Sequence, residues 1–595
     1  GWMVTIIILL SLIIAMTLTP MMSAKMMRSN KNMKMSTFDK WYNKKVLPLL
    51  DKMDKGYARL VKRVVTNRRT TIFAVLVIFV LGGVISALTL KTEFMPASDN
   101  NDIGMTVETP TGTRMEITRE TGHKIAEMLK EKYPEVEIVS FGVGQASDDN
   151  AWAAMQDNGS NILTYNIRLT EAKNRKKTIY DVSDELRVEL AAMPEVHRFK
   201  VMPGGGDMGM TGGSNVAVEI YGYDLSETDK LAADLQPKLS AIAGLRDVTI
   251  SRKDYRMEYN IVFDREKLSL NGLNMAATAN AVRNRINGLI MSRYREDGEE
   301  YNIRVRYDEP YRQSIEDIEN IMIYNPMGIG IRVRDVGKVE ENSSLPQIDR
   351  KDRQRIVTVQ GTIYKRALSE IVKDVNAAIA SLDVPPGVQV EISGSLEEQQ
   401  ESFSQLGLLL MIVSLLVYIV LASQFESLTY PFIIILTVPF AFIGSLLFLS
   451  MTGEPLGIMG FVGLIMLVGM VVKNGIVLID YINLNRERGM SIITAVVHGG
   501  RSRLRPVLMT TLTTILGMIP LAIGTGQGSE MWKSLGISII GGMTFSTIIT
   551  LILVPALYSI FGGNGVKRKR RKHREKIHSQ NEQEEISTYL KGAEA

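Results

Sequence analysis

The sequence predicts an α-helical polytopic membrane protein carrying one large α+β domain outside the bilayer. Three observations predict it. Seven apolar runs, at 3–20, 71–90, 405–424, 429–450, 459–482, 506–524 and 534–561, reach the length of about 20 residues that crosses a hydrocarbon core. Residues 93–400 are instead polar and mixed, like a soluble domain. Basic residues crowd 25–69, 486–505 and the tail stretch 567-KRKRRKHREK-576. If these three face the cytoplasm, the spans alternate without conflict and 93–400 falls on the opposite side.

The first span, 1–22, is an aliphatic run closing at Pro20. It opens abruptly at Gly1-Trp2-Met3 with no charged region ahead of it and no small-residue cleavage site, so a signal peptide is not expected. An odd span number with so abrupt a start suggests part of a longer protein. The last span also closes on a proline, Pro555, which hints at an internal duplication. Residues 23–69 read as a basic cytoplasmic segment. Within it 37–63 mixes apolar and basic residues at helical spacing, as for a helix lying on the membrane surface or packed on the protein itself. A second span, 70–92, leads into the large domain.

That domain repeats one pattern, strand, helix, strand, four times, starting at 103-IGMTVET, 161-NILTYNIRL, 214-SNVAVEIYGYD and 355-RIVTVQGTIY. The strands alternate with period two and the helices carry a wider apolar stripe. Two such units fold together as a ferredoxin-like split β-α-β sandwich. The pattern predicts one sandwich over 93–203 and a second made of 204–252 and 354–400. The glycine-rich stretch 202-MPGGGDMGMTGG-213 is the predicted joint. Residues 253–353 interrupt the second sandwich with a hairpin near 290–307 and short strands at 321–334, and are long enough to be a subdomain of their own. Five spans follow over 401–562, then the basic tail 563–595, read as a topology anchor touching lipid headgroups rather than as a nucleic-acid binder.

Cysteine is absent and the five histidines are scattered, so thiol chemistry and cysteine metal sites are excluded. No Ser-His-Asp, phosphate-loop or zinc spacing is present; the chain does not read as an enzyme, and no cofactor is expected. Met202, Met208 and Met210 could be soft-metal ligands, but among 33 methionines chance explains them better.

The informative residues lie in the stretch 459-MGFVGLIMLVGMVVKNGIVLIDYIN-483. Lys473 is nine residues from the end of the run at Ile482, roughly 13 Å along a helix, within a core about 30 Å thick. A lysine stem falls short of the interface from there, so snorkelling is strained and a buried partner is expected. Asp480 shares the helix face seven residues on, about 10 Å away, too far for a ready pair. No other apolar run holds a mid-span carboxylate, so the partner lies outside this chain. In the next span Arg503 and Thr510 are also seven apart, within a run containing Thr510, Thr511, Thr513 and Thr514. These threonines either line a proton or water path or bond their own helix carbonyls. In the extramembrane region, the loop 141–161 carries Phe141, Trp152 and Met155, with Tyr165 just beyond. They form either an adaptable apolar pocket or local packing.

At this point the chain resembles the C-terminal half of a resistance-nodulation-division transporter of the hydrophobe/amphiphile efflux branch. The likeness rests on LTP at 18–20, EFMPASDNN at 93–101, ASQFESLTYPFIIILTVPFAFIG at 422–444, VGMVVKNGIVLID at 468–480 and RSRLRPVLMTTLTTILGMIPL at 501–521. The resemblance implies a twelve-span homotrimer of the bacterial inner membrane, of which this chain supplies the sixth to twelfth spans. The two sandwiches would be periplasmic porter subdomains and 253–353 part of a docking domain. Such pumps exchange protons for amphiphilic small molecules, need no cofactor beyond the proton gradient, and work with a periplasmic adaptor and an outer-membrane channel. By the same resemblance Lys473, Arg503 and Thr510 belong to the proton relay, with Asn474 beside them. The relay's paired aspartates sit on a fourth span absent here, and Phe141, Trp152, Met155 and Tyr165 border substrate pockets. Two other readings stand beside it: a copper- or silver-type metal exporter of the same superfamily, and a non-export relative sharing the membrane fold.

Overall fold

The computed structural model describes residues 2–26, 44–45, 47–96, 99–144, 159–204, 215–345, 347–524, 526 and 528–562. The chain starts with α1 (Trp2–Met26), then α2 (Leu47–Thr66) and α3 (Arg68–Thr89). Of the two placements left open for the amphipathic segment, packing on the protein is seen along one face of α2. Val61 and Val65 of α2 are buried, and the Tyr57 hydroxyl donates to the Leu551 carbonyl at 2.8 Å.

The first α/β unit runs β1 (Asp102–Glu108), α4 (Met115–Lys132), β2 (Val136–Gly144), β3 (Gly159–Leu169), α5 (Ile179–Ala191) and β4 (Arg198–Pro203). Its antiparallel sheet has the order β2-β3-β1-β4. Ile103, Met105 and Val107 of β1 and Leu163, Tyr165 and Ile167 of β3 turn one face inward, onto Ile125 and Leu129 of α4 and Val182, Leu186 and Leu190 of α5. Period-two strands meeting period-3.6 helices make this single core. Helix α5 starts where Thr178 and Asp181 cap each other reciprocally.

The second unit begins with β5 (Asn215–Tyr221), α6 (Leu225–Ser240) and β6 (Leu245–Ile250). The chain then leaves through an insert: β7 (Arg256–Phe263), α7 (Arg265–Leu270), α8 (Met275–Ile286), β8 (Leu289–Glu296), β9 (Glu299–Val305), α9 (Ile315–Glu319), β10 (Met322–Tyr324), β11 (Gly330–Arg332), α10 (Val333–Val336), β12 (Gly337–Ser344) and β13 (Arg350–Lys351). The insert has its own small core at Val282, Ile321, Ile323 and Val333. It extends a hairpin, β8–β9, turned at Asp297-Gly298, where both residues have positive φ. Every residue of that hairpin's strands is exposed. The unit closes with β14 (Gln354–Ile363), α11 (Leu368–Ala380) and β15 (Gln389–Gly394). Its order, β6-β14-β5-β15, repeats that of the first sheet strand for strand.

The rest is helical: α12 (Ser395–Phe425), α13 (Thr429–Ile435), α14 (Val438–Thr452), α15 (Ile458–Glu487), α16 (Ile492–Ile523) and α17 (Glu530–Phe561). The span expected at 429–450 is two helices in line. Pro439 cannot donate to the turn behind it, and Thr437 satisfies the Ile434 carbonyl at the break at 2.7 Å. Seven helical spans among the described residues are long and apolar enough to cross a membrane. Helix α17 is the centre, packed by α14, α15 and α16. Glycines allow the approach: a Cβ on Gly541 would lie 2.4 Å from the Phe448 Cβ, and one on Gly542 would lie 2.3 Å from Leu467.

Candidate functional site

Helix α15 is apolar through its middle except for Lys473 and Asn474, and the two neighbours point in different directions. Lys473 is the sixteenth of thirty residues. It is exposed, on a stripe with Met466 and Asp480 at seven-residue spacing. It forms no ion pair or hydrogen bond with another described residue.

Asn474 faces the bundle and is 2% exposed. Its amide donates to the hydroxyls of Thr511 on α16 and Thr547 on α17, both at 3.3 Å. Those hydroxyls are 3.1 Å apart, and Thr547 donates onward to the Met543 carbonyl at 2.7 Å. The proton inventory closes. Both amide hydrogens are used, Thr511 donates to Thr547, and Thr547 donates to the backbone. One side chain thus ties three membrane helices together in a place without competing water.

The other expected residues are arranged differently. The Arg503 guanidinium stacks over Tyr481 of α15, 4.4 Å from the ring centre. Its Nε is buried without a hydrogen-bond acceptor. Thr510 donates to its own Val507 carbonyl at 3.0 Å, and Thr513 and Thr514 bond back to Met509 and Thr510. No hydrogen bond or ion pair joins Lys473 to Thr510 or Arg503. Sequence reasoning therefore chose Thr510 and passed over Thr511 and Thr547, the two hydroxyls that reach across helices. A signal for Thr511 was present: it falls on the buried stripe Leu504, Val507, Thr511, where a polar group needs a partner.

Outside the helical bundle, Phe141 and Tyr165 stand side by side on β2 and β3 with ring centres 5.3 Å apart. They pack the sheet onto α4 at Gly122, where a Cβ would lie 2.6 Å from the Phe141 ring. Tyr165 is wholly buried and donates to the Gly122 carbonyl at 2.9 Å; burial holds its phenol well above the usual range. A ring without an exposed face offers nothing to a ligand, so Tyr165 belongs to the core rather than to a pocket wall. Trp152 and Met155 lie outside the described residues.

A cleft of about 200 Å³ opens instead between the two sandwiches. Thr106, Glu108, Arg198 and Lys200 line it from the first, Thr249, Ser251 and Gln360 from the second, and Lys253 and Asp349 from the ends of the insert. The sandwiches are tied nearby. Arg187 of α5 grips Asp247 at the start of β6 with Nε and Nη2, both at 2.9 Å, and Tyr364 donates to Asp184 at 2.6 Å.

The membrane-length helices, with Lys473 midway along one of them, and the paired sandwiches on the same chain define a polytopic membrane protein with a large α+β domain. The chain belongs to the AcrB/AcrD/AcrF family of RND transporters, whose model matches residues 2–562. Members of that family are efflux proteins of the inner membrane, not enzymes. Similar proteins include the swarming motility protein SwrC of Bacillus subtilis, 27% identical over 82% of this chain and 45% of its own length. The cobalt-zinc-cadmium resistance protein CzcA of Cupriavidus metallidurans is 29% identical over 85% of this chain and 48% of its own. The multidrug resistance protein MdtC of Citrobacter koseri is 27% identical over 93% of this chain and 52% of its own. A crystal structure of a heavy metal efflux pump superposes with a TM-score of 0.66 at 26% identity, covering 87% of this chain and 53% of that one. The chain thus spans about half the length of the curated relatives it matches.

Proposed function

We propose that the chain is the C-terminal half of a proton-driven inner-membrane permease that exports amphiphilic compounds. It works as a homotrimer with a periplasmic adaptor and an outer-membrane channel. In this reading α1 is the sixth of twelve spans, 93–203 and 204–252 with 354–400 are porter subdomains in the periplasm, and 253–353 is the docking part. Lys473 carries the proposal, because an ammonium group halfway along an apolar helix, unpaired among the described residues, calls for ionised carboxylates on a neighbouring span. Protonating those carboxylates removes its partner and forces the side chain to move. Asn474 holds the helix rotation while that happens, and Arg503 and Thr510 take part on α16.

The cleft supports an amphiphile over a metal ion as substrate. Its wall mixes hydroxyl, amide and charged groups with Phe199 and Ile250, a surface that suits an amphiphile, and its charges nearly balance because Arg198 is paired with Asp254 at 2.9 Å. The metal reading keeps its own support, the similarity to CzcA and to the heavy metal efflux pump. The test is Lys473→Met and Lys473→Arg in the full-length protein, followed by dye accumulation and by survival on cobalt, zinc and cadmium. Loss of dye export by the Met variant at unchanged protein level is expected. Proton-coupled export surviving that change would sink the relay, and metal sensitivity without dye accumulation would move the substrate to the metal branch.

A further inference from the structure

Helix α2, between the first two membrane-length helices, has three faces, and among the described residues only one of them packs on the protein. Asp54, Val61 and Val65 point inward with Tyr57. The helix carries two acids, Asp51 and Asp54, and both pair with Arg505 of α16, at 2.6 and 2.8 Å. Turning about 100° per residue, Lys52, Lys55, Arg59, Lys62 and Arg63 all fall within one remaining third of the circumference. All five are exposed, and none pairs with an acid among the described residues. The last third carries Leu49, Met53 and Leu60, exposed at 60%, 42% and 45%.

The level of the helix is also set. Tyr57 bonds the Leu551 carbonyl and Arg68, just after α2, bonds the Ser559 carbonyl at 3.2 Å. Ser559 lies in the last turn of the membrane-crossing α17, and Leu551 ten residues before its end. An apolar strip beside a purely cationic strip, at the end of a bundle of spans, matches the boundary where acyl chains give way to headgroups. We propose that α2 is a docking surface for anionic phospholipid. Leu49, Met53 and Leu60 enter the acyl boundary while the five cations collect phosphate-bearing, negatively charged headgroups. Arg505 is the positioning residue, since it pairs with both acids of the helix, the buried Asp54 and the exposed Asp51, and so neutralises the carboxylates nearest the cationic strip.

The test needs no transport assay, so its failure is distinct from failure of the efflux reading. The full-length protein, free of other thiols, carries a donor dye at Leu60→Cys and sits in nanodiscs of phosphatidylcholine and phosphatidylglycerol. Energy transfer is measured to trace acceptor-labelled phosphatidylglycerol and, separately, phosphatidylcholine. The expected result is an excess of transfer to phosphatidylglycerol of about fivefold, falling to parity at 1 M salt, where screening reaches about 3 Å. K52Q/K55Q/R59Q/R63Q removes the excess while the melting temperature holds, because the docked face is untouched. Equal transfer to both lipids in the parent protein, as a stripe serving an acidic protein would give, overturns the proposal. So does an excess that survives the four substitutions.

Discussion

Asn474→Leu removes the junction of α15, α16 and α17 while keeping a branched side chain of the same heavy-atom count. The substitution deletes two interhelical hydrogen bonds, both at 3.3 Å, and leaves Thr511 and Thr547 bonded to each other at 3.1 Å. Measured interhelical bonds inside membranes average about 0.6 kcal/mol and reach about 1.7. Two long bonds therefore cost about 1 kcal/mol, and the retained heavy-atom count adds little cavity cost. Thr547→Val removes a bond to Asn474 and one to Thr511 and costs a similar amount. The assay is a double-mutant cycle, with unfolding of the reconstituted protein followed by helix content. The double variant is expected to lose less than the sum of the singles, with a coupling of about 0.6 kcal/mol. Strict additivity would refute the reasoning, because it would mean that the amide and the hydroxyl do not meet. Transport should fall further than stability, since Asn474 fixes the rotation that aims Lys473.

Four further outcomes are expected. Arg187→Met leaves Asp247, whose side chain is 4% exposed, without its cation, and a buried orphan charge costs about 3 kcal/mol; thermal melting checks it, and Asp247→Asn paired with Arg187→Met should restore part of the loss. Gly394→Ala meets a backbone oxygen 2.8 Å away at a φ of +75° and should destabilise by more than about 1 kcal/mol, visible as reduced folded yield. Arg505→Ala strands Asp54 and frees α2, so proteolysis within 47–66 should quicken severalfold while the sandwiches stay resistant. Asp181 is held below the usual carboxylate range, first by the Thr178 hydroxyl and then by the Thr178 backbone amide. Its stabilising effect is present above the unfolded value of about 3.9 and fades as pH falls through the lower folded value, so Asp181→Asn should flatten the acid limb of the melting profile.

The sandwiches were legible because their signals are local. Period-two strands at 103–109 and 355–364 and the helix over 115–133 recur in the structure within a residue or two, at β1, β14 and α4. The interruption of the second sandwich was legible because its fourth strand pattern resumed a hundred residues late. Three things were not legible, each for a physical reason. The break at Thr437 depends on Pro439 and on one hydroxyl, which hydropathy does not register. The choice between Thr510 and Thr511 depends on which face of α16 meets α17, and four threonines in five positions cover both faces. The cleft is lined by chain segments far apart in sequence, brought together by side-chain ties such as Arg187–Asp247 and Tyr364–Asp184 that no local pattern announces. Tyr165 misled for the opposite reason: an aromatic near a long loop looks available until the sheet closes over it.

Any motion of α15 has short, stiff routes into the domain above. Just ahead of α15, Leu456 exchanges backbone hydrogen bonds with the chain leaving α3, donating to the Lys91 carbonyl at 2.9 Å and accepting from Glu93 at 3.2 Å. That same chain is fastened to α11, because Lys91 pairs with Glu370 at 3.0 Å and Ser369 bonds Thr92. A second route needs no linker at all, since β15 runs directly into α12 at Gly394. There Lys351 joins Glu219 of the sheet to Glu397 of the helix at 3.0 and 2.9 Å. Both routes end in the second sandwich, one wall of the cleft, whereas the first sandwich is held to the second by side-chain ties, Arg187–Asp247 and Tyr364–Asp184 among them. A displacement starting at Lys473 should therefore move the second sandwich against the first, opening or closing the cleft between them. A cross-link from Lys200→Cys to Ser251→Cys, across that cleft, is expected to block transport and to be relieved by reductant. Transport that continues with the cross-link formed would show that the two walls do not need to part.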